Sequence, residues 1–307
     1  MEAFFAPFGV VFVQRALWGG ILVSAVCALA GTWVVLRGMA FLGDAMSHGM
    51  LPGVALASLF GQNLFLGAAL AAGTMAAGVT ALGRSPRLSQ DTSIGLLFVG
   101  MLSVGVIIVS HSASFAVDLT GFLFGDVLAV RERDLVYLGA ALAVALVVAV
   151  AGHRAFVALA FDPRKAHTLG LAPRAAHAVL LGLVTLAVVA SFHVVGTLLV
   201  FGLLIAPPAA VALWARSIPV IMLGAALLGS TATFVGLLVS WHWETAAGAT
   251  IAAVAVAMFF ASALASAARP SSRPSRPSRP SRSAVTHAER PGPATTDPHH
   301  AEGQKTS

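Results

Sequence analysis

Residues Arg37 to Ala57 read RGMAFLGDAMSHGMLPGVALA. Past Arg37 the only ionisable groups in this stretch are Asp44 and His48, and with its continuation it gives an apolar run over about 42–60. A hydrocarbon layer roughly 30 Å thick takes about 20 such residues as a helix, so the run predicts a membrane crossing. A carboxylate inside such a helix costs roughly 2.5–3.5 kcal/mol on insertion scales, which makes Asp44 a functional candidate by default. His48 lies four residues on, hence on the same helix face about one turn away. A carboxylate oxygen and a neutral imidazole nitrogen together suit zinc and other first-row divalent ions. Pro52 removes a backbone donor, and Gly49 and Gly53 permit a kink or close packing. The plainer reading pairs Asp44 with the N-terminal dipole of its own helix and His48 with a neighbouring helix. Two ligands do not close a metal site, so other groups or a second subunit would have to complete one.

The rest of the chain agrees with a membrane setting. Of its 307 residues 58% are hydrophobic and only 10% are charged, with a mean hydropathy of +0.90. Soluble domains carry about 25% charged residues, so a water-soluble globular enzyme is excluded. Length and charged or Pro/Gly-rich breaks predict nine spans, over about 16–36, 42–60, 64–82, 93–110, 134–152, 175–191, 195–215, 218–240 and 246–267. Residues 1–15 read either as a short interfacial helix or as an extension of the first span. The stretch 111–130, with Asp118 and Asp126 near its ends, reads as a short helix at one membrane face. Cys27 is the single cysteine, so neither a disulfide framework nor a cysteine zinc site can form.

Residues 269–307 hold seven of the 18 Lys/Arg and three of the 12 Asp/Glu, leaving 11 basic and 9 acidic residues in the first 268. The basic balance therefore belongs in good part to a tail, 268–307, whose Arg/Pro/Ser repeats predict disorder rather than a core. The plain reading is a solvated tail with no specific role, beside which its arginines could touch anionic headgroups by charge alone, and nucleic acid is not an expected partner. Putting the tail in the cytoplasm brings Arg37, Arg84, Arg87, Arg154, Arg164, Lys165, Arg174 and Arg216 to the same side, and Arg15, Arg131 and Arg133 to the other.

Two further stretches stand out. FDPRKAHTLGL (161–171) places Asp162 before Pro163 as a capped helix start and Gly170 as its stop, which predicts a short helix presented to the cytoplasm. VVGTLLVFGLLIAPPAAVAL (194–213) combines glycines with Pro207 and Pro208, the mark of a broken helix lining a pathway. His193, at its outer end, reads as a headgroup-level polar residue. No HExxH, GxSxG or GxxxxGK[ST] is present, so the chain has neither a zincin motif nor an ATP-binding P-loop.

Taken in order, RGMAFLGDAMSHGMLPGVALA, FDPRKAHTLGL and VVGTLLVFGLLIAPPAAVAL resemble the permease family of metal-ion ABC transporters, the zinc and manganese uptake systems. DTSIGLLFVGMLSVGVIIVS (91–110) and DLTGFLFGDVL (118–128) extend the resemblance over about 15–260. It implies an all-α polytopic membrane fold similar to the vitamin B12 and haem importer permeases, working as a homodimer in the bacterial inner membrane. It also implies a cytoplasmic ATPase subunit that binds the ATP, and an extracytoplasmic binding protein that delivers the ion. By the same resemblance Asp44 and His48 become the metal contacts. The helix holding Phe161, Asp162, Ala166 and Gly170 becomes the one that fits the ATPase. The chain itself would be no enzyme and hold no cofactor; its cargo would be zinc first, then manganese or iron. Family members commonly carry two adjacent basic residues where this chain has Arg37-Gly38.

Two other classes stay open on residues alone. An ion-coupled secondary transporter would work without an ATPase and would show inverted repeats, yet the Asp44 segment has no counterpart in the second half. An intramembrane hydrolase would need a motif around Ser47, Ser103 or Ser191, and none is present.

Overall fold

Backbone groups cannot stay unpaired in hydrocarbon, so apolar runs of this length resolve into helices. In a computed structural model of the chain they do. The structure describes residues 9–83, 89–110, 125, 127–161 and 172–268, and among them there is no strand. In chain order the helices are α1 Val11–Leu36, α2 Ala40–Gly49, α3 Leu51–Leu59, α4 Leu64–Leu82, α5 Gln90–Ser110, α6 Glu132–Phe161, α7 Pro173–Ala212, α8 Ile218–Trp243 and α9 Ala247–Ala267. A 3-10 turn, Val127–Ala129, precedes α6.

Eight stretches of these helices are long and apolar enough to cross a membrane, α7 supplying two of them, Pro173–Phe192 and Val194–Ala212. The expected ninth continuous span, 42–60, is instead two short helices. Pro52 has no N–H to offer the carbonyl of His48, and the Met50 amide turns to that carbonyl, so α2 stops at Gly49 and α3 starts at Leu51. Residues 11–15 lengthen α1. Residues 1–8, most of the stretch 111–130, the segment 162–171 and the tail from 269 lie outside the described residues.

α7 is not one rod. Its backbone is left-handed at Gly196, with φ 76° and ψ 164°, a conformation that side chains oppose and glycine allows. Neighbours show that the two arms run in opposite directions. His177 of the first arm meets Arg37 just past the end of α1. Val194 lies near Gly19, early in α1, and Leu204 and Pro208 of the second arm lie against Gly31, again toward its end. At the reversal Gly125, itself at φ 63°, packs its backbone on Val195 and Gly196 with no space for a Cβ.

α1 and the second arm of α7 form the centre, with 67% and 72% of their apolar stretches buried, against 17% for α5 and 22% for α6. Small residues make this possible, since Gly20 has room for nothing larger beneath Thr233 of α8. Ser24 approaches the same Thr233 at 3.4 Å between hydroxyl oxygens. α3 and α4 cross backbone to backbone at Gly53 and Gly67, each occupying the place of the other's Cβ, the small-residue packing that membrane helices use.

The described arginines sort to the two ends. Arg37 meets His177, while His153 and Phe156, flanking Arg154, pack their rings on Trp33 near the end of α1. At the other end Arg15 Nη2 donates to Glu132 Oε1 at 2.6 Å, joining the start of α1 to the start of α6.

Candidate metal-ion site

α2 is amphipathic in an unusual way. Leu42, Gly43, Ala45, Met46, Ser47 and Gly49 are buried. Ser47 satisfies its hydroxyl within the helix by donating to the Gly43 carbonyl at 2.9 Å. Gly43 fits beneath Leu204 of α7, and Gly49 beneath Met75 of α4. This packing fixes the rotation of α2 and turns Asp44 and His48 to the remaining face.

There the His48 Nε2 lies 3.5 Å from Asp44 Oδ1, and the two side chains stay 27% and 31% exposed. With metal–ligand distances of about 2.1 Å, that spacing corresponds to an angle of roughly 110° at an ion bound by both atoms. The spacing is too long for a strong hydrogen bond, so the two groups do not satisfy each other. Among the described residues no third His, Cys, Asp or Glu joins them. The pair therefore offers two donors of a site whose remaining positions fall to water, backbone or another chain. The ring of Phe98, from α5, stands beside His48 with centroids 6.0 Å apart. Spacing alone does not single Phe98 out of the apolar run around it.

The other sequence candidates lie elsewhere. Gly49, Pro52 and Gly53 sit at and just after the α2/α3 break, facing α4 and α5. Pro207 and Pro208 are buried within a second arm that runs on through them. The interruption of α7 falls at Gly196 instead, and Pro208 rests against Gly31 of α1. Phe161 ends α6. Asp162, Ala166 and Gly170 lie outside the described residues, as does the side chain of His193. His177, six residues past the 162–171 segment, meets Arg37 at the end of α1, with Nδ1 and Nη1 2.9 Å apart. Burial lowers the basicity of Arg37 below the ordinary arginine range, and the imidazole serves as its hydrogen-bond acceptor.

Residues 10–266 match the ABC 3 transport family. The chain is 35% identical over 249 residues to the manganese transport system membrane protein MntC of Halalkalibacterium halodurans, covering 81% of this chain and 85% of that one. It is 34% identical over 259 residues to a protein described as a probable iron transport system membrane protein from Haemophilus influenzae, covering 84% and 95%. The solved structure of PsaBC from Streptococcus pneumoniae in complex with Fab superposes with a TM-score of 0.75 at 32% identity, covering 85% of this chain and 95% of that one. By sequence over nearly all of its helical part and by fold, this chain belongs to the ABC 3 transport family, as a multi-pass membrane permease of a metal ABC importer.

Proposed function

We propose that the chain is the ion-conducting subunit of an importer for a divalent transition metal, and that Asp44 and His48 contact the ion as it crosses. The observation that carries this is the pair itself: a carboxylate and an imidazole 3.5 Å apart and about a third exposed, on a helix packed among apolar spans. Lipid would not tolerate that face. A second copy of the chain, bringing its own pair, both covers it and supplies the missing donors, so the working unit is a homodimer. Paired carboxylates offset the ion's loss of water, and two weak donors per subunit leave the ion free to move on, as conduction requires.

The cargo is manganese or iron before zinc. The family resemblance puts zinc first, but the relatives compared carry manganese and iron in their names, and the Asp/His donor set serves all three ions. Transport runs by alternating access: an ATPase partner binds and hydrolyses ATP, its movement reaches the permease through the 161–171 segment, and an extracytoplasmic binding protein supplies the ion. The end holding Arg37, Arg154 and Arg216 faces the cytoplasm of a bacterial inner membrane, and the tail with it.

The test is metal uptake in cells stripped of their own manganese, iron and zinc importers, expressing this chain with its ATPase and binding-protein partners. Rescue by one ion that needs a live ATPase is the expected result. Rescue that persists with a hydrolysis-dead ATPase would instead establish an ion-coupled secondary transporter.

A further inference from the structure

Phe98 meets the His48 imidazole as a tilted edge contact, centroids 6.0 Å apart and planes at 67°. The same ring meets Phe41 at 5.6 Å and 74°. Phe41, Asp44 and His48 follow one another at i, i+3 and i+7 on α2, so they share one face, and Phe98 reaches both ends of the face whose middle residue is Asp44. The ring is well anchored: Phe98 packs against the buried core. Farther along α5, Gly105 lies under Leu51 and Pro52, where an added Cβ would meet them at 3.1–3.3 Å. An imidazole on a partly open face has several rotamers and two ring orientations available. Aromatic pairs favour this edge arrangement over alternatives, and here it coincides with Nε2 turned toward Asp44 Oδ1.

We propose that Phe98 is a positioning residue for ion binding. Its ring holds His48 in the orientation in which Nε2 and Asp44 Oδ1 share one cation, and it walls the α5 side of the pair so that the cation enters from the open side. This rests on Asp44 and His48 being ion contacts. Phe98 itself donates nothing to the ion; it removes the freedom His48 would otherwise lose on binding.

The test is Mn²⁺ titration of the purified permease–ATPase complex in lipid nanodiscs, following loss of the free-ion paramagnetic resonance signal. Phe98→Leu keeps an apolar side chain without the ring and is expected to weaken Mn²⁺ binding about tenfold, while Phe98→Tyr restores it to within twofold. In a His48→Ala background, Phe98→Leu is expected to add nothing, because the group it positions is gone. Binding unchanged in Phe98→Leu but lost in Asp44→Ala and His48→Ala would overturn the role of Phe98 alone. The same holds if Phe98→Leu weakens His48→Ala by a further tenfold. If Asp44→Ala and His48→Ala bind Mn²⁺ as the unsubstituted complex does, the ion-contact reading falls and this proposal falls with it.

Discussion

The carbonyl oxygen of Leu204 faces the Cα of Gly31 with no space for a Cβ between them. The reason lies four residues on: Pro208 has no N–H to offer that carbonyl, and its ring rests against Gly31 as well. A helix weakened by proline is thus pressed against a helix opened by glycine, at the contact between the two most buried spans. Weak Cα–H···O contacts are common at such crossings. Gly31→Ala forces backbone apart from backbone, and it is expected to cost at least about 1–3 kcal/mol, the usual penalty of overpacking. Gly73→Ala is the control, since a Cβ there meets nothing within 4 Å. Thermal unfolding in detergent should drop for the first and hold or rise slightly for the second. Equal behaviour would show that this crossing does not set stability.

Asp44→Ala and His48→Ala should each abolish metal uptake while the complex still assembles, because the packing of α2 rests chiefly on its buried residues and not on these two side chains. Their face is the half-open one, and buried Leu42 and Met46 look the other way. Asp44→Asn separates charge from shape. It keeps an oxygen near His48 but removes the negative charge that offsets ion dehydration, so uptake should fall by at least tenfold. Uptake measured with radioactive manganese, alongside co-purification of the ATPase, decides the matter. Normal transport in both alanine variants would remove the pair from the ion path.

Span positions were legible in the sequence because hydrocarbon imposes a length and forbids charge, and both are visible residue by residue. The end of α1 near Leu36 and the stretch Leu64–Leu82 are of this kind. The break at Met50 was only half legible: Pro52 announced a lost donor, but whether a helix bends through such a loss or stops depends on what packs beside it. In 194–213 the glycines and the two prolines together mark a broken helix. At Pro207 and Pro208 the arm stays continuous, with Pro208 against Gly31. It is Gly196, beside the expected boundary between two spans, that turns the chain because its φ of 76° costs glycine little. The Asp44/His48 pair was legible since four residues make a helical neighbour. Phe98 was not, because its meeting with His48 depends on how α5 lies against α2.

His177 is the acceptor for a guanidinium that burial has partly stripped of water. Replacing it by leucine leaves Arg37 without that partner; an unpaired donor that is fully buried costs about 1–3 kcal/mol, and the half-buried Arg37 should lose less than that. His177→Leu should therefore lower the unfolding midpoint, whereas His177→Gln, which retains an amide oxygen as acceptor, should recover most of it. Protonation has the same sense as the leucine change, because an imidazolium is donor only and carries a like charge. A midpoint unmoved by His177→Leu would mean that water takes over the role of the imidazole.

The link between ATP and ion movement is expected to lie in 161–171, where α6 ends at Phe161 and α7 begins at Pro173. Asp162 ahead of Pro163 is suited by sequence to cap a helix start, so Asp162→Lys would remove such a cap and place a cation against the positive end of the expected helix. Gly170→Trp adds the largest side chain where the proposed ATPase contact would lie. Both changes fall far in sequence from Asp44 and His48, and both should leave Mn²⁺ binding by the complex intact. Each is expected to cut uptake by at least tenfold while ATP hydrolysis continues or loses its dependence on the binding protein. The ratio of ATP consumed to ions moved, measured in proteoliposomes, is the readout. A ratio unchanged from the unsubstituted complex in both variants would place the coupling elsewhere. The Arg37–His177 contact, which joins the end of α1 to the helix following this segment, would then be the next place to look.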